Sequence, residues 1–166
     1  EWRMKLDDIE GYSDSDYAGD DKRTSTTGGV LMLGGVVIKC WSKQQKVIAL
    51  SSGEAELYAA VKLGCELMGI KSLAADFGLH VNLHVYTDAK ATFGMLTRKG
   101  VGSVKHVQTN QFWLQDVIRN KIVSLYKIGT DDNVADILTK YLSEAKLRFL
   151  CNRMNYIPVN KVVMHR

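Results

Sequence analysis

The hydrophobic and polar positions first fall into a regular pattern at Gly11 to Gly19. Tyr12, Asp14 and Asp16 lie on one side of a two-residue period and Ser13, Ser15 and Tyr17 on the other, which predicts a β-strand. Two apolar runs follow, Gly29 to Leu33 and Val36 to Trp41. Gly34-Gly35 between them is a hairpin signal, so the first three strands should form an antiparallel meander. Ser51 and Glu54 are spaced as a capping box opening a long helix that runs to about Phe77, where Gly78 ends it. Its apolar stripe is Ala60, Leu63, Leu67, Ile70, Ala74 and Phe77, in steps of three and four. Val81 to Val85 reads as a buried central strand, followed by a helix from Ala89 to Lys99.

Beyond the glycine-rich turn at Gly100 to His106, a helix is expected from Gln108 to Arg119, with Phe112, Trp113, Val117 and Ile118 in the core. Lys121 to Ile128 reads as a fifth strand. Asp131-Asp132-Asn133 caps a helix from Val134 to Leu142. Ser143 caps a last helix, Glu144 to about Arg153, that buries Leu147, Phe149 and Leu150. The element order predicts an α/β fold, a five-stranded mixed sheet flanked by helices, in which the first three strands are antiparallel. The expected organisation is an N-terminal arm over residues 1–10, one domain over 11–153 and a basic tail over 154–166.

Composition narrows the class without naming a function. The 166 residues are 46% hydrophobic, enough for the core of one ordinary domain, and a single proline and no low-complexity tract argue against a linker. The apolar runs are short and broken, so no transmembrane span is expected. No secretory h-region is read at Glu1 to Lys5, and the start without an initiator Met suits either a piece of a longer product or a trimmed one. Cys40, Cys65 and Cys151 are odd in number and widely spaced, which suits buried or half-buried free thiols in an intracellular, reducing compartment, whichever that is. His80 and His84 bracket a strand with no cysteine partner near, an arrangement that does not suit zinc. Net charge is +4, and if several carboxylates are gathered in one site the remaining body is more basic still, as an enzyme acting on a polyanion needs.

The acidic positions carry the chemistry. Asp88 stands at the carboxyl end of the expected central strand, at the open edge where ligand and metal chemistry collects in α/β sheets, although an Asp there also serves as a helix N-cap. Asp14 and Asp16 share one strand face, which is costly unless a cation pairs with them. One turn before Ala60, Glu56 falls on the buried stripe of the long helix. Glu54 lies about 200° away and should face solvent. A carboxylate aimed inward from a first helical turn calls for a metal, another cation or a proton. Asp136 lies in the first turn of the helix after the fifth strand.

With these acids in order, the chain resembles the ribonuclease H domain of copia-type LTR-retrotransposon polyproteins. The resemblance is carried by Gly11 to Asp20, Trp41 to Gln45, Ala49 to Ala60, Val85 to Ala89, Lys105-His106-Val107 and Ala135 to Lys140. It implies a ribonuclease H-like fold and cleavage of the RNA strand of RNA–DNA hybrids, leaving 5′-phosphate and 3′-hydroxyl ends. Two divalent ions, magnesium with manganese as the alternative, are implied to be held by Asp14, Glu56, Asp88 and Asp136. The family motif selects Asp14 over Asp16, which the pattern alone leaves open. Ser51 and Ser52 are implied to bind a substrate phosphate. Lys43, Gln44, Gln45, Lys90 and Lys105 are weaker candidates for backbone contacts. A reverse transcriptase or other polyprotein domains are the implied partners, in addition to the hybrid.

Two positions depart from the family pattern. The loop Ile128 to Asn133 lacks the mobile histidine of cellular ribonucleases H, and Gln111-Phe112 replaces a common Tyr-His. Two other readings compete with the hydrolase. One is a captured domain serving as a nucleic-acid-binding or structural subunit of a larger assembly. The other, an integrase or transposase of the same superfamily, fits less well because those enzymes use three acids.

Overall fold

The computed structural model describes residues 7–19, 23–100 and 112–156. Five strands form one mixed sheet in the order β3-β2-β1-β4-β5. The strands are β1 (Asp8–Asp16), β2 (Thr26–Leu33), β3 (Val36–Gln44), β4 (Asn82–Thr87) and β5 (Val123–Lys127). β1, β2 and β3 make the antiparallel meander, turning at Gly34 and Gly35, whose positive φ values only glycine adopts readily. β4 pairs parallel with both β1 and β5.

The helices are α1 (Ser52–Asp76), α2 (Lys90–Thr97), α3 (Trp113–Arg119) and α4 (Glu144–Arg153), with two short 3-10 turns at Thr130–Asp132 and Val134–Leu138. α1 covers one sheet face, where Leu63 and Leu67 pack on Ile9, Leu31, Leu83, Val85 and Val123. α2 and α3 close the flank of α1 through Leu57, Met95, Leu96, Phe112 and Leu114. The opposite face is covered by the Val134–Leu138 turn and α4, over Tyr12, Val30 and Met32. Among the described residues no helix is long and apolar enough to cross a membrane.

Several expectations are corrected. β1 starts at Asp8, so residues 8–10 belong to the most central strand and not to an arm. Pairing with both β2 and β4 buries Ile9, while His84 and Tyr12 meet the neighbouring acids Asp8 and Glu10. The helix expected from Val134 to Leu142 is only a 3-10 turn. Asn133 caps it at the Ala135 N–H, and Thr139 leaves helical geometry at its end. Phe77 is 74% exposed because α1, about 37 Å long, outruns β4, about 20 Å long. Leu147 and Phe149 are also exposed, since α4 presents only a narrow stripe, Leu150 and Met154, to the sheet. The cysteines are free, but Cys40 and Cys65 are exposed, on the edge strand and on the solvent side of α1.

At the other chain end, α4 stops at Arg153 as expected. Met154 still belongs to the core and Asn155 bonds to Gly35 O, so the fold extends past the expected boundary. The arm residues 1–6, the glycine-rich turn beyond Gly100 with Lys105, the first part of the helix expected from Gln108, and residues 157–166 of the basic tail lie outside the described residues.

One close approach positions the site. Asp14 pairs with Gly28 across β1 and β2, and the Val134–Leu138 turn packs directly on that glycine. A Cβ on Gly28 would stand 2.7 Å from Thr139 Cγ2 and 3.0 Å from the Ala135 carbonyl oxygen. Gly28→Val is therefore expected to lift the turn that carries Asp136 and to destabilise the protein by about 1–3 kcal/mol, read as a lower urea midpoint.

Candidate active site

Strand register brings the first two acids level. Tyr12 of β1 is aligned with Tyr86 of parallel β4, and Asp14 and Asp88 each follow two residues later. Asp136 arrives from the 3-10 turn laid over Gly28. Carboxylate oxygens of Asp14, Asp88 and Asp136 all lie within 4.8 Å of one another. Glu56, the fifth residue of α1, is outside that set but lines the same cleft, together with Ser52 and Lys90.

Each carboxylate is held by a named partner. The Ser15 N–H donates to Glu56 Oε1 at 3.1 Å, whereas Glu56 Oε2 is buried and accepts no hydrogen bond from the described residues. The fully buried Asn133 donates from Nδ2 to Ser13 O at 3.0 Å and to Asp88 Oδ1 at 3.3 Å. The Thr139 hydroxyl donates to Asp14 Oδ2. Lys140 Nζ donates to Asp14 Oδ1 at 2.9 Å and to Asp136 Oδ1 at 2.8 Å. The N-cap reading of Asp88 falls away: Ala89 caps α2 without a side-chain bond, and Thr87 Oγ1 takes the Ala89 N–H.

The electrostatics follow from burial. Burial raises the Asp14 carboxyl above its ordinary range, and the Thr139 hydroxyl and Lys140 ammonium offset only part of that. Burial, reinforced by the nearby charge of Asp14, pushes Glu56 from 4.5 to about 8, against the lowering effect of the Ser15 N–H. For Lys140 burial opposes the charge, but the bonds it donates to Asp136 and Asp14 and their negative charge outweigh it and its pKa is raised. This donor set is all oxygen and strongly acidic, with one buried oxygen left over. That suits a hard divalent cation, and Asp14, Asp88, Asp136 and Glu56 are the residues that could hold one.

The remaining predicted residues divide. Ser51 is the N-cap of α1, its hydroxyl accepting the Glu54 N–H, and Ser52 and Lys90 are exposed at the lip of the acidic cleft. Lys43, Gln44 and Gln45 instead line a separate depression with Trp41, Lys46 and Tyr58. Gln45 is tied down there, its Nε2 donating to Thr27 Oγ1 and Ala55 O. Glu54 corrects the helical-wheel argument. It is 2% exposed, because the segment before α1 folds over the first turn and both Leu50 N–H and Tyr58 hydroxyl bond its carboxylate. Sequence reasoning gave no role to Asn133 beyond capping, and none to Thr139 or Lys140. The three- and four-residue steps from Asp136 were the available signal for the last two.

In metal-free protein, a raised Glu56 pKa favours folding fully below pH 4.5, and that contribution is lost as pH rises through about 8. Glu56→Gln in excess chelator should therefore gain about 1–3 kcal/mol over wild type at pH 9 and much less at pH 5, measured by urea unfolding.

No protein-family model matches the chain. It is 34% identical over 149 residues to the retrovirus-related Pol polyprotein from transposon TNT 1-94 of Nicotiana tabacum, a match covering 88% of this chain and 11% of the polyprotein. It is 30% identical over 155 residues to the Pol polyprotein from transposon RE2 of Arabidopsis thaliana, covering 91% of this chain and 11% of that one. The chain thus spans about a tenth of the length of these curated relatives. Among solved structures it is similar to LC11-RNase H1 in complex with an RNA/DNA hybrid, with TM-score 0.56 and 17% identity over 78% of this chain and 92% of that one. That likeness establishes a ribonuclease H-like fold.

Proposed function

Because the homologues that cover most of this chain are retrovirus-related Pol polyproteins of copia-type plant transposons, we propose that it is a ribonuclease H domain of that family, hydrolysing the RNA strand of RNA–DNA hybrids. The observation that carries this reading is the convergence of Asp14, Asp88 and Asp136 within 4.8 Å, beside the unpartnered Glu56 Oε2, at the open end of the parallel strands. The solved likeness in complex with an RNA/DNA hybrid supports the substrate class.

In this reading Asp14, Asp88, Asp136 and Glu56 hold two magnesium ions, or manganese in their place. Ions held this way supply a stronger water nucleophile and neutralise charge on the leaving 3′-oxygen. The chain's own residues do the positioning. Asn133 fixes the orientation of Asp88 and ties it to β1 through Ser13 O. Thr139 fixes one oxygen of Asp14. Ser52 and the N-terminal end of the 25-residue α1 receive a backbone phosphate, with Ser51 holding that helix end in shape. Lys90, on the lip of the same cleft, takes a neighbouring phosphate. Lys43 and Gln44, in the separate depression, contact the backbone of the other strand, while Gln45 braces that wall. Recognition is then by backbone geometry and 2′-hydroxyls, not by base identity. Partners beyond the hybrid are the reverse transcriptase and other parts of the polyprotein.

With a labelled RNA–DNA hybrid and magnesium, wild type is expected to cut the RNA strand and Asp88→Asn to fall to background. Asn133→Ala, which loosens Asp88 without removing it, should lose about 10- to 100-fold. If wild type does not cut with magnesium or manganese yet still binds the hybrid, the hydrolase reading fails and a binding module takes its place.

A further inference from the structure

The acidic cluster already contains a cation. Lys140 follows Asp136 by four residues, and its ammonium bridges Asp136 Oδ1 at 2.8 Å and Asp14 Oδ1 at 2.9 Å. The two carboxylates it joins are almost sealed from water, with side chains 2% and 5% exposed, whereas the lysine side chain is 38% exposed. The other oxygen of Asp14 is taken by the Thr139 hydroxyl. A divalent ion entering between Asp14 and Asp136 needs oxygens that Lys140 now occupies, and two cations on the same oxygens repel each other. The flexible, partly exposed lysine stem can swing into water, but the two aspartates cannot.

We propose that Lys140 is a resident counter-cation, which neutralises Asp14 and Asp136 in the metal-free protein and has to be displaced before a divalent ion binds between them. The inference rests on the reading of this cleft as a divalent centre and adds a property to it. The protein would stay folded without metal, at the cost of a weaker apparent affinity, because each binding event includes breaking two ion pairs. Lys140 and the divalent ion then compete for one pair of ligands, with a coupling of opposite sign to that of a residue that merely shapes the site.

The test is titration of the wild-type chain and Lys140→Met with MgCl2 and with MnCl2 by calorimetry, alongside thermal unfolding in chelator and at saturating metal. Removing the competitor should tighten divalent binding by about 5- to 150-fold, the ordinary range of such couplings. It should also lower the melting temperature in chelator, with the gap narrowing at saturating metal. Unchanged or weaker binding by Lys140→Met overturns the inference while leaving the divalent centre standing. An absence of saturable binding in both proteins overturns the divalent centre and this inference together. Should Lys140→Met not fold without metal, the wild type answers by NMR of lysine ammonium groups. A protected signal that is missing in Asp14→Asn, and so distinct from that of Lys146 on Asp131, is expected in chelator and lost as magnesium saturates. Persistence of that Asp14-dependent signal unshifted at saturation, or its absence in chelator, overturns the inference.

Discussion

Carboxylates gathered at one edge of a sheet repel one another, and burial makes the repulsion worse by removing the water that would screen it. Asp14, Asp88 and Asp136 have oxygens within 4.8 Å of one another, and Glu56 lines the same cleft. A fold that brings such groups together has to answer their charge, and every device around this cleft does so. The Ser15 amide, the Asn133 amide and the Thr139 hydroxyl each donate to one of the four acids, and the Lys140 ammonium to two. The compensation is incomplete, as the raised pKa values of Asp14 and Glu56 and the orphaned Glu56 Oε2 record. That remaining need for positive charge suits a cation beside the Lys140 ion pairs.

The architecture is arranged so that the acids arrive from independent directions on rigid supports. Two come from adjacent parallel strands whose register levels them, one from near the N-terminal end of α1, and one from a short turn pressed onto a glycine of β2. Asn133 is the joint of this assembly. A single buried side chain caps the turn that carries Asp136, bonds the β1 backbone beside Asp14 and touches Asp88. Displacing any one support would move a carboxylate while leaving its neighbours' charge in place, so positional accuracy and electrostatic stability are coupled in this site.

Most of the scaffold was legible in the sequence, because its elements obey local periodicities. The Gly34-Gly35 hairpin, the Ser51 cap of α1, the Ser143 cap of α4 and the five-stranded mixed sheet all follow from spacing. The inward direction of Glu56 followed from the three- and four-residue steps of α1, and the position of Asp88 from its place at a strand end, whereas the choice of Asp14 over Asp16 and the role of Asp136 came from the resemblance. The errors fall where a packing contact or a side-chain bond overrides the local period. Glu54 read as outward on a bare helix, but the preceding segment folds over it. Phe77, Leu147 and Phe149 read as core, but the surfaces they would meet end short of them. The turn at Val134–Leu138 read as an α-helix, whereas side-chain bonds from Asn133 and Thr139 bound it.

The sequence by itself determined the elements, their order and the residue types that carry charge, since helix and strand periods, caps and turns act over a few residues. The resemblance of its ordered acidic motifs extended that reading to a family. Only the tertiary structure decided which oxygens share a cleft and which donor answers each of them. Asp14 meets Lys140 across 126 positions and Asn133 meets Asp88 across 45, distances over which local pattern carries no information. Those contacts exist because a parallel β1–β4 register and the bare surface of Gly28 let three separate segments converge, and convergence is a property of the packed chain alone.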